Sequence, residues 1–205
     1  MRSVLISIRP KWCELIASGR KTVEVRKTKP KLETPFKVYI YCTNTKPFLV
    51  WGDVFRGNWE TEFTHLSGYN RKEAEKIWDV FNGKVIGEFV CDHIDYWNHH
   101  IHDDDTITLE RASELSCVSE DNLIQYADLG HFYAWHISDL VIYCEPRGVR
   151  GFYHYCGDNP KCDGCELLYY SNTECGKEEF CCSNMYGFKT LTRPPQSWCY
   201  VVEVE

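Results

Sequence analysis

Residues 4–8, Val-Leu-Ile-Ser-Ile, are an apolar run with three β-branched side chains, the pattern of a buried strand. Pro10 then suits the first turn of a helix, where its missing N–H costs nothing. Trp12, Leu15 and Ile16 recur at i, i+3 and i+4, an apolar stripe of helical period, and Gly19 stands where a left-handed residue would end that helix. Residues 21–26 alternate strictly, with Val23 and Val25 on one face and Thr22, Glu24 and Arg26 on the other, which predicts a half-buried strand. Further strands are predicted over 37–42, over 84–91 with an extension toward Tyr96, over 140–143 and over 198–204. Gly87 inside one of them predicts a bulge or the close approach of another backbone. Ala74, Ile77, Trp78 and Phe81 give a helical period over 71–81, stopped by Gly83, and Ser119 with 122–127 predicts a short helix. Residues 43–70 and 145–192 lack a period and read as loops. Strands this closely spaced leave little room for βαβ crossovers. The prediction is an α+β fold: a small, mostly antiparallel β-barrel with two or three flanking helices. Residues 1–145 plus 193–205 would form the barrel domain, and 146–192 a Cys-rich C-terminal insertion.

Composition narrows the class. With 43% hydrophobic and 15% aromatic residues among 205, the chain is not disordered. No apolar run approaches the roughly 18 residues of a membrane-spanning helix. The apolar stretch at the N-terminus is too short for a secretory signal and is interrupted by Arg9. The expectation is therefore a cytoplasmic protein with no membrane partner, whose 12 cysteines are reduced thiols or metal ligands rather than disulfides. The net charge of −7 is unevenly spread: residues 1–37 carry ten Lys/Arg against three Glu. A basic end on an acidic body can present a local anion site; the plainer reading is a solvated lysine-rich surface.

That basic end holds the most informative constellation. The predicted strand, helix and second strand gather Arg9, Lys21, Glu24 and Arg26 into one supersecondary unit. A carboxylate among cations stays ionised and can accept from a base edge or orient a lysine. Arg26 offers a planar fork for a phosphate or a nucleobase acceptor. The alternative is a surface ion pair worth at most about 1 kcal/mol.

Gly19-x-Lys21-x-x-Glu24-x-Arg26, after a strand and a helix containing Pro10 and Ile16, resembles the signature of ASCH domains, members of the PUA-like superfamily. Val85-Ile-Gly-Glu88 resembles the family's central barrel strand, and Tyr133-Ala-Trp-His-Ile137 a second one. The resemblance implies a PUA-like β-barrel with a cleft lined by these polar residues. It also implies RNA or modified-nucleotide binding as the leading function. Some ASCH proteins hydrolyse an acylated cytidine with a Lys, a Thr and a Glu, and others are reported as ribonucleases. Lys21 matches the amidohydrolase lysine, but Glu24 stands where the threonine nucleophile belongs. Thr22 is nearby without matching, and Glu114 and Glu120 both remain open for the distal glutamate. A glutamate is a poor nucleophile for amide hydrolysis but can act as a base on water. The alternative function is thus a hydrolase of a modified nucleoside or RNA, with Lys21 and Glu24 as its acid–base pair.

Three other groups carry candidate chemistry. In 193–199, two prolines fix an extended approach to the last strand, Gln196 and Ser197 offer hydrogen-bonding groups and Trp198 a stacking face or a core side chain. Trp12 has the same two readings, with core preferred. Six cysteines crowd between 156 and 182; Cys162-Asp-Gly-Cys165 is a metal knuckle that Cys175 and Cys181 can complete as a structural Zn²⁺ site, with Cys182 or His154 as substitutes. Free thiols or disulfides are the alternatives, and the segment is also a candidate surface for a protein partner. His99, His100 and His102 with Asp103–Asp105 read as a polar loop rather than a metal site. Cys13, Cys42, Cys91, Cys117, Cys144 and Cys199 are spread singly and read as buried small hydrophobes.

Overall fold

The computed structural model describes residues 2–53, 58–66, 68–76, 79–100, 106–128, 130–154 and 191–203. The first strand, β1 (Ser3–Ile8), is buried at all six positions, Ser3 and Ser7 included. Helix α1 (Pro10–Ala17) begins on Pro10, buries Cys13 and Ile16, and is followed by Gly19 at φ +71°. The chain then enters β2 (Val23–Arg26), β3 (Phe36–Cys42), β4 (Phe48–Asp53) and β5 (Asn58–Leu66). After the short α2 (Arg71–Ala74) come β6 (Val85–Cys91), β7 (Ile94–Asn98), α3 (Leu109–Ser116) and α4 (Glu120–Tyr126). The last strands are β8 (His131–His136), β9 (Ser138–Arg147), β10 (Phe152–His154) and β11 (Trp198–Glu203).

These strands make three sheets: a six-stranded sheet in the order β10-β11-β1-β3-β6-β9, a three-stranded sheet β2-β8-β7, and the hairpin β4-β5. The predicted barrel is therefore not closed. Strand β2 leaves the main sheet after α1 and pairs antiparallel with β8, Val23 opposite His136 and Arg26 opposite Tyr133. That departure leaves β1 to pair parallel with β3, and the remaining ladders among the described strands are antiparallel. Four α-helices are described rather than two or three.

Apolar side chains join the sheets. Val4, Ile6 and Ile8 of β1, Val38 and Ile40 of β3 and Phe89 of β6 pack with Trp135 of β8 and Ile16 of α1. The other face of the six-stranded sheet buries Leu5, Tyr39, Tyr41 and Val201 under Phe152 and Leu191. Phe152 and Leu191 lie at the two ends of the predicted insertion, so its described ends pack on the main body. A separate cluster, Val23, Val25, Phe132 and Ala134 with Ala112 and Leu123, seats the small sheet on α3 and α4.

Two loop or helix expectations change. Residues 43–70 contain the β4–β5 hairpin, entered through Phe48, Leu49 and Val50, all buried. Buried Asn82 holds that entry: its Oδ1 accepts from the Leu49 amide at 2.7 Å, and its Nδ2 donates to the Thr45 and Pro47 carbonyls. The predicted helix over 71–81 ends at Ala74, because Val80 bridges to Val50 and the Phe81 amide donates to the Leu49 carbonyl. Residues 77 and 78 lie outside the described residues, as do Cys162, Cys165, Cys175, Cys181 and Cys182.

Gly87 is required by a close approach, as predicted. A Cβ there would meet the Val141 carbonyl oxygen at 2.4 Å, where the β6–β9 register shifts. Gly87→Ala must displace β9 and should destabilise the protein by about 1–3 kcal/mol, read as a lower midpoint in urea unfolding.

Candidate functional site

Lys21, Glu24 and Arg26 meet at the edge of the small sheet, and the fold buries the first two and most of the third. Lys21 is 2% exposed and Glu24 7% exposed. Lys21 is placed by its own amide, which donates to the Leu15 carbonyl of α1 at 2.9 Å. Its Nζ lies 2.9 Å from the Ser116 carbonyl at the end of α3 and 3.3 Å from Glu24 Oε2. Arg26 Nη2 takes the other carboxylate oxygen at 2.9 Å and donates to the Ser7 carbonyl of β1 at 2.7 Å. Arg26 Nη1 reaches Ser197 Oγ at 3.5 Å. One carboxylate thus fixes two cations, and through them the ends of β1 and α3. Arg26 Nε is buried with no partner among the described residues.

The triad opens into a cleft of about 870 Å³. Its lining includes Ser7, Arg9, Lys11 and Trp12 from β1 and α1, and Cys117, Ser119, Asn122 and Tyr126 from the α3–α4 region. Gln196 and Ser197 stand at the end nearest Arg26. Lys11 Nζ lies 4.7 Å from the Trp12 ring centroid and Lys27 Nζ 5.5 Å from that of Tyr126, so both aromatic flanks carry a cation. Burial pushes the Tyr126 hydroxyl up, with Arg26 opposing, so it remains a neutral hydroxyl at physiological pH.

A family profile described as ASCH domain matches residues 6–175. The chain belongs to the ASCH domain family. No curated protein matches it. Among solved structures, the ASCH protein of Zymomonas mobilis is similar at 16% identity, covering 99% of this chain and 87% of that one, with a TM-score of 0.49. A single-residue variant of the same Zymomonas mobilis protein gives 14% identity over 99% of this chain and 88% of that one, at a TM-score of 0.46. In this ASCH chain Lys21, Glu24 and Arg26 of the G-x-K-x-x-E-x-R pattern are the polar centre of the cleft, while Gly19 is exposed outside it.

Arg9, Lys21, Glu24, Arg26 and Ser197 all line the cleft. Trp198 is not among the lining residues: its ring packs 5.9 Å from Trp135, and its Nε1 donates to Thr28 Oγ1 at 3.1 Å. Trp12 lines the cleft while also packing on the core, so the two readings of it combine. Glu114 is exposed and held by Arg111, and Glu120 is exposed; neither is a lining residue. Among the described residues no group of three or more His, Cys, Asp or Glu is arranged to hold a metal ion.

The sequence pattern does not mark residues 117–126 as a cleft wall. Its one signal there is Ser119 at the start of a short helix; the wall exists because Cys117, at φ 55°, ends α3 in a left-handed turn. Cys117 and Cys144 are exposed and Cys199 is half-buried, which corrects the expectation of six buried thiols. Cys13, Cys42 and Cys91 are buried as expected. Burial pushes the Cys91 thiol up to about 12 and, aided by neighbouring Cys42, pushes Cys13 well up.

Two outcomes follow. Glu24→Gln leaves two buried cations facing a neutral amide and should cost about 3–5 kcal/mol in urea unfolding, whereas Lys37→Ala, at the exposed pair with Glu88, should cost about 1 kcal/mol or less. Iodoacetamide at about pH 9, followed by peptide mapping, should label Cys117 and Cys144 in the native protein, and Cys13 and Cys91 only after unfolding. The stability that Cys91 draws from staying neutral is complete below its unfolded value of about 8.5 and is lost as the pH rises through about 12.

Proposed function

We propose that this cleft recognises RNA or a modified nucleotide. The observation that carries the reading is the lining of the cleft, where the cations Arg9, Lys11 and Arg26 stand beside the rings of Trp12 and Tyr126. Trp12 and Tyr126 supply faces on which a base can stack, worth about 1–3 kcal/mol each. Arg9 and Lys11 are exposed at the mouth and suit phosphates. Lys21, committed to Ser116 and Glu24, is a strut rather than a phosphate contact.

The hydrolase alternative asks Glu24 to move a proton. Cations hold both of its oxygens, which favours a fixed carboxylate that orients Arg26 over a base that must gain and lose a proton. Fluorescence anisotropy with single-stranded RNA across a salt series tests the binding reading. Arg9→Ala with Lys11→Ala should weaken binding and reduce the salt slope by about two. Unchanged affinity and slope would remove the cleft mouth from the interface. An acylated-cytidine panel with the same protein separates the classes, since turnover by the unsubstituted chain would establish the hydrolase instead.

A further inference from the structure

We infer that a single-stranded RNA does not end in the cleft but continues out of it, past Arg26, onto a basic and aromatic platform on the small sheet. This rests on the RNA reading of the cleft and extends it to a second, contiguous surface.

The path follows from register. Arg26 of β2 lies directly opposite Tyr133 of β8, and Tyr133 directly opposite Tyr96 of β7. Directly opposed residues of an antiparallel sheet share a face, so the three make one row across the sheet, about 10 Å over two strand spacings. The Tyr96 and Tyr133 ring centroids are 5.3 Å apart, and His131, next along that face, lies 5.8 Å from both. All three rings are only half-buried. The row begins at a cleft residue, Arg26, and runs away from it as a cluster of partly exposed rings tilted 39–78° to one another, each offering a face or an edge to a base.

The cations follow the same course. Lys27 lies over Tyr126 in the cleft wall, and Lys29 lies over Tyr133, at 5.4 Å, where the platform starts. The segment that carries them is held in place: Thr28 Oγ1 accepts from Trp198 Nε1, the Lys31 amide donates to Tyr200 Oη at 2.6 Å, and Pro30 is buried. The lysines therefore stand on a pre-organised strap, which lowers the ordering cost of binding. Asp128 is the one acid paired with this strap among the described residues; its contact with Lys27 is long, 3.9 Å, and exposed, so a phosphate can replace it. Alternating cations and rings along one line fit single-stranded nucleic acid, whose charge and flat bases alternate in the same way. An acidic protein segment would use the lysines but not the row of rings.

The test uses the full chain and labelled single-stranded RNAs of about three and about eight nucleotides, matched to the cleft alone and to cleft plus platform. The longer RNA should bind at least about tenfold tighter. Lys29→Ala, an exposed change, should remove about one from the salt slope of the longer RNA and leave the shorter unchanged. Tyr96→Ala should likewise weaken only the longer RNA, and an abasic strand of the same length should lose most of the gain. Equal affinity for both lengths would overturn the platform while leaving the cleft reading intact; failure of both RNAs to bind would remove the two together. Displacement by an acidic peptide as effective as by RNA would overturn it in favour of a protein partner.

Discussion

A single buried carboxylate holds the site, and much of the surrounding geometry, in place. Glu24 sits between Lys21 and Arg26, and each cation spends further donors on a backbone carbonyl, one at the end of α3 and one on β1. Neither cation is stable at this depth without the carboxylate, and the carboxylate is not stable without both. The small sheet, the main sheet and the helical wall are thereby tied at one point. Apolar packing brings these layers together, but it is non-directional and tolerates sliding. The ion triad supplies direction, and the cleft lies where the tied layers diverge.

The helical wall and the strap show how ordinary packing choices shape that cleft. Cys117 turns the chain between α3 and α4, and Ser119, Asn122 and Tyr126 beyond the turn line the same cleft as Trp12. On the other side Trp198 uses its ring for the core and its N–H for the strap at Thr28. An aromatic with one polar edge suits such a boundary between packed and wet regions.

Local structure near the N-terminus was legible because the periodicities there are clean. The buried run of β1, the proline-started α1, the left-handed Gly19 and the alternation around Glu24 and Arg26 all reappear in the fold. Gly87 was legible for a similar reason, since a glycine weakens a strong strand unless a neighbouring backbone needs the space. The open architecture was not legible. Whether β2 closes a barrel with β1 or leaves to pair with β8 depends on partners more than 100 residues away, which no local pattern records. Trp198 illustrates the same limit: its type fits a cleft wall and a core equally, and only the placement of Trp135 and Thr28 decides. The 71–81 segment failed in another way, a real helical period being overridden by strand contacts of Val80 and Phe81.

The seam between β1 and β11 bears on how the molecule comes to be. Ser7 donates through its hydroxyl to the Pro195 carbonyl and through its amide to the Ser197 carbonyl, contacts that span nearly the whole sequence. Until residues 191–203 emerge during synthesis, β1 has β3 on one side and an unpaired apolar edge on the other. An edge of that kind is an invitation to other chains, and its natural partner is the last of the described strands in chain order. A nascent chain that has passed β1 but not yet β11 should therefore be a client for chaperones that shield exposed strands, and the cleft, which Ser197 helps to line, cannot be complete before then.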